Sequence, residues 1–318
     1  MIPYITRRVA AAAVQLIVVL VITFGLVRLT PGDPVTAYLS RIQSETSVSK
    51  QYVEQVRRQL GVDQPVAVQF GLYVGRVLRG NLGISYTQSE PVSRIITSQL
   101  PYTLQLAFAA LLIELLIGVP LGVYAATRRG RFADYLATTV ATVGYSMPRF
   151  WTGMVLILVF AVGWGLFPVI GVGEPGRPLD VLHHLVLPAL ALGVAGAAYV
   201  ARMTRSSVLD VLGEDYVRTA RAKGVPEPRV LRGHALRNAF IPILSVVGVS
   251  FGRALGGSAI IETLFGRVGI GSLLVDAITQ RDYTLVQGTI LVFAIGVFVI
   301  NLAVDLGYAW LNPRIRYT

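Results

Sequence analysis

Residues 9–29 read VAAAAVQLIVVLVITFGLVRL, and this stretch decides the fold class. Only Gln15, Thr23 and Arg28 interrupt it. A helix of that length, rising 1.5 Å per residue, crosses the roughly 30 Å hydrocarbon core of a bilayer. Arg7 and Arg8 before it resemble the start of a signal peptide, yet the apolar run is longer than such a segment uses. No small-x-small cleavage pattern precedes Leu29-Thr30-Pro31-Gly32-Asp33-Pro34. The run reads as an uncleaved anchor.

Five further apolar runs follow, at 101–126, 135–167, 185–203, 240–261 and 285–306, and predict an all-α integral membrane protein with six transmembrane helices. The third is overlong for one crossing and contains Pro148, so a kink, a tilt or an extension outside the membrane is expected there. Composition agrees. Hydrophobic residues make up 54% and charged ones 14%, against about 25% charged in a soluble domain. A net charge of +11 fits nucleic acid only when the cations gather on a soluble surface; here most flank apolar runs, and no nucleic-acid partner is expected. The chain has no Cys, which excludes disulfides, thiolate metal sites and cysteine nucleophiles.

Six spans put both termini on one side, and the cations say which. Arg7, Arg8, Arg128, Arg129, Arg131, Arg202, Arg205, Arg218, Arg221, Lys223, Arg229, Arg232, Arg237, Arg314 and Arg316 lie on the terminus side; the short loops opposite hold Arg177, Arg267 and Arg281. Both termini are therefore expected in the cytoplasm. The segment 30–100 is too long for that rule and reads as an external helical segment. Ser49 caps a first helix with Val53, Val56 and Leu60 on one face and Gly61 as its stop; Pro65 opens a second with Val66, Phe70, Val74 and Val77 together and Gly80 ending it. Leu82, Ile84 and Tyr86 then alternate before 91–100 leads into the second span. This divides the chain into 1–100, the anchor helix 9–29 with the external segment 30–100, and 101–318, a five-helix core whose cytoplasmic loop spans about 204–239.

No catalytic constellation is visible. The three histidines are His183, His184 and His234; the first two are adjacent and point about 100° apart on a helix, so no metal site is expected. Gly257-Ser258 lies in an apolar helix without a nucleophile elbow, and neither Lys50 nor Lys223 follows the glycine pattern of a phosphate-binding loop. The chain is not expected to hydrolyse ATP.

The cytoplasmic loop is more specific. In Glu214-Asp215-Tyr216-Val217-Arg218-Thr219-Ala220-Arg221-Ala222-Lys223-Gly224 the acids stand at the positive end of a helix, the cations at its negative end, and Gly224 suits the left-handed position after the last turn. Val225-Pro226-Glu227-Pro228 forces a bend. A chain needing only orientation needs cations, not this geometry.

Asp215 to Gly224 resembles the cytoplasmic signature of the membrane subunits of bacterial ABC importers, in the version of their dipeptide, oligopeptide and nickel branch. The wider family has Glu-Ala-Ala, three residues, Gly, nine residues and Ile-x-Leu-Pro; here Arg218, Thr219 and Ala220 occupy the first triplet, and His234, Leu236 and Arg237 stand where Ile, Leu and Pro occur. The turn Pro31 to Pro34, Gly144-Tyr145-Ser146-Met147-Pro148, Arg281-Asp282-Tyr283, Asn301 to Asp305 and Asn312 to Arg316 are similar to the same branch, above all to its first, dipeptide-type permease. One departure is Gly266 to Gly271, where Val268 replaces the branch's Pro and leaves that external turn less rigid. The resemblance implies a type I importer permease carrying di- or oligopeptides, with nickel as the alternative within the branch. It implies a second permease, two ATPase subunits that bind the ATP and magnesium, an external solute-binding protein, and the bacterial inner membrane as location. Residues 214–224 would couple to the ATPase, with Tyr216, Val217 and Ala220 as apolar contacts. A secondary transporter would show inverted repeats, and a membrane enzyme a catalytic constellation; neither is evident.

Two further features come from the residues alone. Ala189, Gly193, Ala197 and Ala201 line one face of the fourth span and Gly248, Gly252 and Gly256 one face of the fifth, which predicts that these two spans pack through their small residues. Glu114 and Arg253 each lie near mid-span, where a charge costs about 2.5 to 3.5 kcal/mol. They are expected either to pair or to line the translocation path, Arg253 facing a peptide carboxylate and Glu114 an ammonium.

Overall fold

The computed structural model describes residues 2–29 and 64–311. The predicted helix capped by Ser49, the Pro31 to Pro34 turn and the Asn312 to Arg316 ending lie outside the described residues. Within them, five helices are long and apolar enough to cross a membrane, and a bent pair brings the number to six if it counts as one span. In chain order the elements are α1 (Ile2–Leu29), α2 (Val66–Leu78), α3 (Val92–Thr127), α4 (Phe132–Ser146), α5 (Arg149–Leu156), α6 (Pro178–Leu212), α7 (Asp215–Ala222), α8 (Glu227–Arg229), α9 (Leu236–Leu264), α10 (Ile270–Thr279) and α11 (Tyr283–Leu311). Among the described residues there is no strand; one isolated bridge joins Ile84 to Pro91.

The long third run is broken rather than merely tilted. α4 and α5, the latter continued by the π-helical stretch Ile157–Gly163, meet at 100°. Pro148 excludes its predecessor from helical backbone, and Met147 is extended at φ −76°, ψ 131°. Two short helices thus replace the one long helix of the third run.

The chain forms two compact units, Met1–Gln99 with Leu273–Ile295, and Leu100–Ser272 with Gly296–Thr318. In the first, α2 lies against α1 as its periodicity predicts. Phe70, Tyr73, Val74 and Val77 join Leu16, Leu20 and Phe24 around Leu291, with the Phe24 ring 5.4 Å from Phe70 and 5.8 Å from Tyr73. Val66, expected on that face, is exposed, and Tyr73 is the α2 residue most buried in the contact. Pro65 and Gly80 bound the helix as read, Gly80 at φ +74°. Asp282 then fastens the 82–91 turn: its Oδ2 accepts Ser85 Oγ at 2.6 Å, Thr87 Oγ1 at 2.9 Å and Thr87 N at 3.0 Å, while Oδ1 accepts Leu285 N at 3.1 Å and caps α11.

In the second unit α6 is the central helix, packed on α4, α5 and α9, with its buried residues falling between Leu187 and Val208. Here the prediction about small residues needs correction. The α6 stripe does not meet the α9 stripe. A Cβ on Gly193 would fall 2.8 Å from the Ala110 carbonyl of α3. Conversely, a Cβ on Gly118 of α3 would fall 2.6 Å from the Ala197 carbonyl, and one on Gly122 would collide with that of Ala201. On α9, Gly248 and Gly252 face Val304 and Val297 of α11, and nothing lies within 4 Å of a Cβ on Gly256. The two spans do pack on each other as expected, but not through these stripes: α3 supplies glycines of its own, and it is the α3 backbone that the α6 stripe approaches.

The Gly266 to Gly271 turn is braced without a proline. Glu262, fully buried, accepts Thr103 Oγ1 at 2.7 Å and Ser272 N at 2.9 Å; Thr103 Oγ1 accepts Ile270 N at 2.8 Å, and Ser272 Oγ donates to the Arg267 and Gly269 carbonyls. A Cβ at Gly269 would collide with the Glu262 carboxylate, so the carboxylate does the work that Pro does elsewhere.

Candidate functional site

The break between α4 and α5 opens a charged cavity. It measures about 230 Å³ and is lined by Glu114 of α3, Tyr145 and Met147 at the end of α4, Arg149 at the start of α5, Gly196 and Tyr199 of α6, and Ser250 and Arg253 of α9. The predicted pair Glu114 and Arg253 is brought to one cavity but does not form an ion pair. Ser250 lines the cavity beside Glu114, while Arg253 stands over the Tyr199 ring, 4.7 Å from its centroid. Glu114 is 2% exposed, and its Oε2 has no hydrogen-bond partner among the described residues. Gly196 makes room for it, since a Cβ there would collide with the carboxylate.

Sequence reading missed Arg149. It sits inside the third apolar run, directly after Pro148, and was readable there as a third mid-span charge. Its NH1 donates to the Arg253 carbonyl at 2.9 Å, across a notch in which a Cβ at Gly257 would collide with the guanidinium. A second cavity of about 230 Å³ lies between α3, α4 and α6, lined by Gly122, Thr138, Arg202 and Arg205 among others; Tyr145 lines both. Arg202 stands over the stacked Tyr145 and Tyr199 rings at 5.4 and 5.8 Å. Beyond it, Arg205 grips Asp134 bidentately at 2.6 and 2.7 Å.

The capped helix α7 forms as its caps predict. Glu214 is extended at its N-terminus, and Gly224 has φ +78°, its N–H bonded to the Arg221 carbonyl at 2.9 Å. Arg221 clamps Glu227 across the Pro226 bend, Nε to Oε2 at 3.0 Å and NH2 to Oε1 at 2.6 Å. That guanidinium holds the Glu227 carboxyl below its usual value. One expectation fails: Val217 is fully buried and faces its own chain, since α7 packs on the helical turn Val230–Ala235. Tyr216 is exposed and accepts Asn238 Nδ2 at 2.6 Å; Ala220 is half-buried, and Arg218, Thr219, Ala222 and Lys223 point outward. The outward surface is therefore aromatic and cationic rather than aliphatic.

Residues 118–317 match the family described as binding-protein-dependent transport system inner membrane component, and residues 1–107 match its N-terminal companion family. The chain belongs to that family. It is the inner-membrane permease component of a binding-protein-dependent transport system, not an enzyme. It is 39% identical to the dipeptide transport system permease protein DppB of Escherichia coli (strain K12), over all of this chain and 99% of that one. It is 42% identical to the glutathione transport system permease protein GsiC of Salmonella typhimurium, over the whole of both. Another relative, 42% identical over all of this chain and 99% of its own length, is the di/tripeptide permease DppB of Pseudomonas aeruginosa. In fold it matches a chain of the inward-facing MetNI methionine ABC transporter, with a TM-score of 0.59 at 20% identity, covering 71% of this chain and all of that one. The family membership removes the secondary-transporter and membrane-enzyme alternatives.

Proposed function

We propose that this permease imports di- or oligopeptides across the bacterial inner membrane. The carrying observation is that relatives aligned over the whole chain are named for dipeptides, di/tripeptides and glutathione, itself a peptide; nickel is not favoured. A second, homologous permease completes the path, and two cytoplasmic ATPases bind ATP and magnesium, for which this chain carries no phosphate-binding loop. Residues 101–318 act as the core and 1–100 as anchor and external segment, with both termini in the cytoplasm. α7 couples ATPase closure to the spans. It is a short rigid lever, held from one side by Val217 and from the other by the Arg221–Glu227 clamp.

The translocation path runs along the face that carries Glu114 and Arg253. Arg253 is exposed on the isolated chain although it sits mid-span, and a guanidinium facing lipid there is strongly disfavoured. That flank therefore meets the second permease and water, whereas Val14, Ile17, Val18 and Val21 of α1 present an aliphatic face suited to lipid. The test is reconstitution with the cognate permease, ATPases and binding protein in liposomes. ATP-dependent uptake of a labelled dipeptide is expected; uptake of nickel ion and not of peptide would overturn the reading.

A further inference from the structure

The cavity at the α4–α5 break holds one carboxylate and two guanidinium groups, so it carries excess positive charge in a region where uncompensated charge is costly. The single hydrogen bond that the described residues give the Arg149 guanidinium runs from NH1 to the Arg253 carbonyl. That bond and the Gly257 notch fix its position against α9. Held in this way, a guanidinium presents a planar fork suited to a carboxylate. The first turn of α5 starts at the same place. Pro148 supplies no side-chain cap, and Thr152 N is the first amide seen bonding back, to the Pro148 carbonyl at 3.1 Å. The positive end of that half-helix adds to the field of the two cations.

Independently, Glu114 is nine-tenths buried or more, faces the same cavity and keeps Oε2 without a partner among the described residues. A buried carboxylate oxygen left this way is a receptor for an N–H donor. An anionic group beside a donor therefore satisfies both halves of the cavity. We propose that Arg149, with Arg253, forms a carboxylate-binding subsite, and that the permease handles short peptides through their free C-terminal carboxylate while Glu114 accepts a neighbouring N–H. This rests on the peptide reading above and deepens it.

The test uses the assembled importer in liposomes with its binding protein, and two probes, alanyl-alanine and alanyl-alaninamide, each at a concentration that saturates the binding protein. The wild-type complex should take up the acid at least about tenfold faster than the amide. Arg149→Gln should remove that preference, lowering acid uptake about tenfold and leaving amide uptake within about twofold. Arg149→Lys, which keeps the charge without the fork, should fall between. An equal fall for both probes in Arg149→Gln assigns Arg149 to structure and overturns the subsite, as does an unchanged acid-to-amide ratio. If Arg149→Gln does not assemble, an unchanged ratio in Arg149→Lys overturns it. A wild-type complex that imports neither probe overturns the peptide reading as well; one that imports both, with a ratio indifferent to residue 149, overturns the subsite alone.

Discussion

At the residue scale, two glycines decide where the charges of the cavity go. Gly196 leaves the volume that the Glu114 carboxylate occupies, and Gly257 the volume of the Arg149 guanidinium. Gly196→Ala should therefore displace Glu114 and cut peptide uptake at least about tenfold at near-normal membrane levels, because a misplaced group in a preorganised site loses on that order. Quantitative blotting with transport assays on the same vesicles measures it; unimpaired uptake would show the notch to be idle. The reversed pair, Glu114→Arg with Arg253→Glu, should not restore uptake lost in the single variants, since Arg253 rests on Tyr199 rather than on Glu114. Thr103→Val leaves the Ile270 N–H and one Glu262 oxygen unpaired, a cost of about 1–3 kcal/mol for each group. A lower thermal midpoint of the purified complex in detergent is the expected result.

At the element scale, the lever proposed for α7 depends on its cap and its clamp. Gly224→Val meets no steric neighbour but forces a β-branched residue to φ +78°, at about 1–2 kcal/mol. Normal insertion with weakened peptide-stimulated ATP hydrolysis is expected, and normal stimulation would refute the lever. The Arg221–Glu227 clamp is largely exposed, so its worth is about 0–1 kcal/mol. Because Arg221 lowers the Glu227 pKa, that contribution is complete above the ordinary value of 4.5 and is lost only as pH falls through the lowered folded value. Proteolytic protection of residues 221–229 should accordingly stay constant from about pH 8 to 5 and decline only below the ordinary carboxylate range. Glycine stripes behave as elements too. Gly122→Val should destabilise the α3–α6 contact, whereas Gly256→Val, with nothing within 4 Å of its Cβ, should be tolerated.

At the scale of the whole molecule, the absence of Cys makes surface assignment direct. A thiol placed by Arg253→Cys should react with a charged, membrane-impermeant reagent in the assembled importer, as the proposed aqueous path along that flank requires. One placed by Ile17→Cys on α1 should not, because lipid covers it. Reaction at 17 and silence at 253 would invert the assignment of the two faces.

The number of apolar runs, the external helix from Pro65 to Gly80 and the capped helix at 215–222 were legible in the sequence, because each depends on spacing and caps within one stretch. The motif carried by Asp215 to Gly224 was legible for the same reason. What no local pattern contains is the rotation of each helix about its axis and the choice of neighbour. Both α6 and α9 carry small residues at fourfold spacing, but only tertiary packing set the α6 stripe against Gly118 and Gly122 of α3 and the α9 stripe against α11. Val217 likewise reads as surface from its own helix and is buried by a turn more than ten residues later. Arg149 became part of the cavity only because α5 leaves α4 at 100°, which places its guanidinium beside a carbonyl 104 residues away. Hydrophobic spacing says which residues leave water; close packing among helices of equal apolarity says which of them meet.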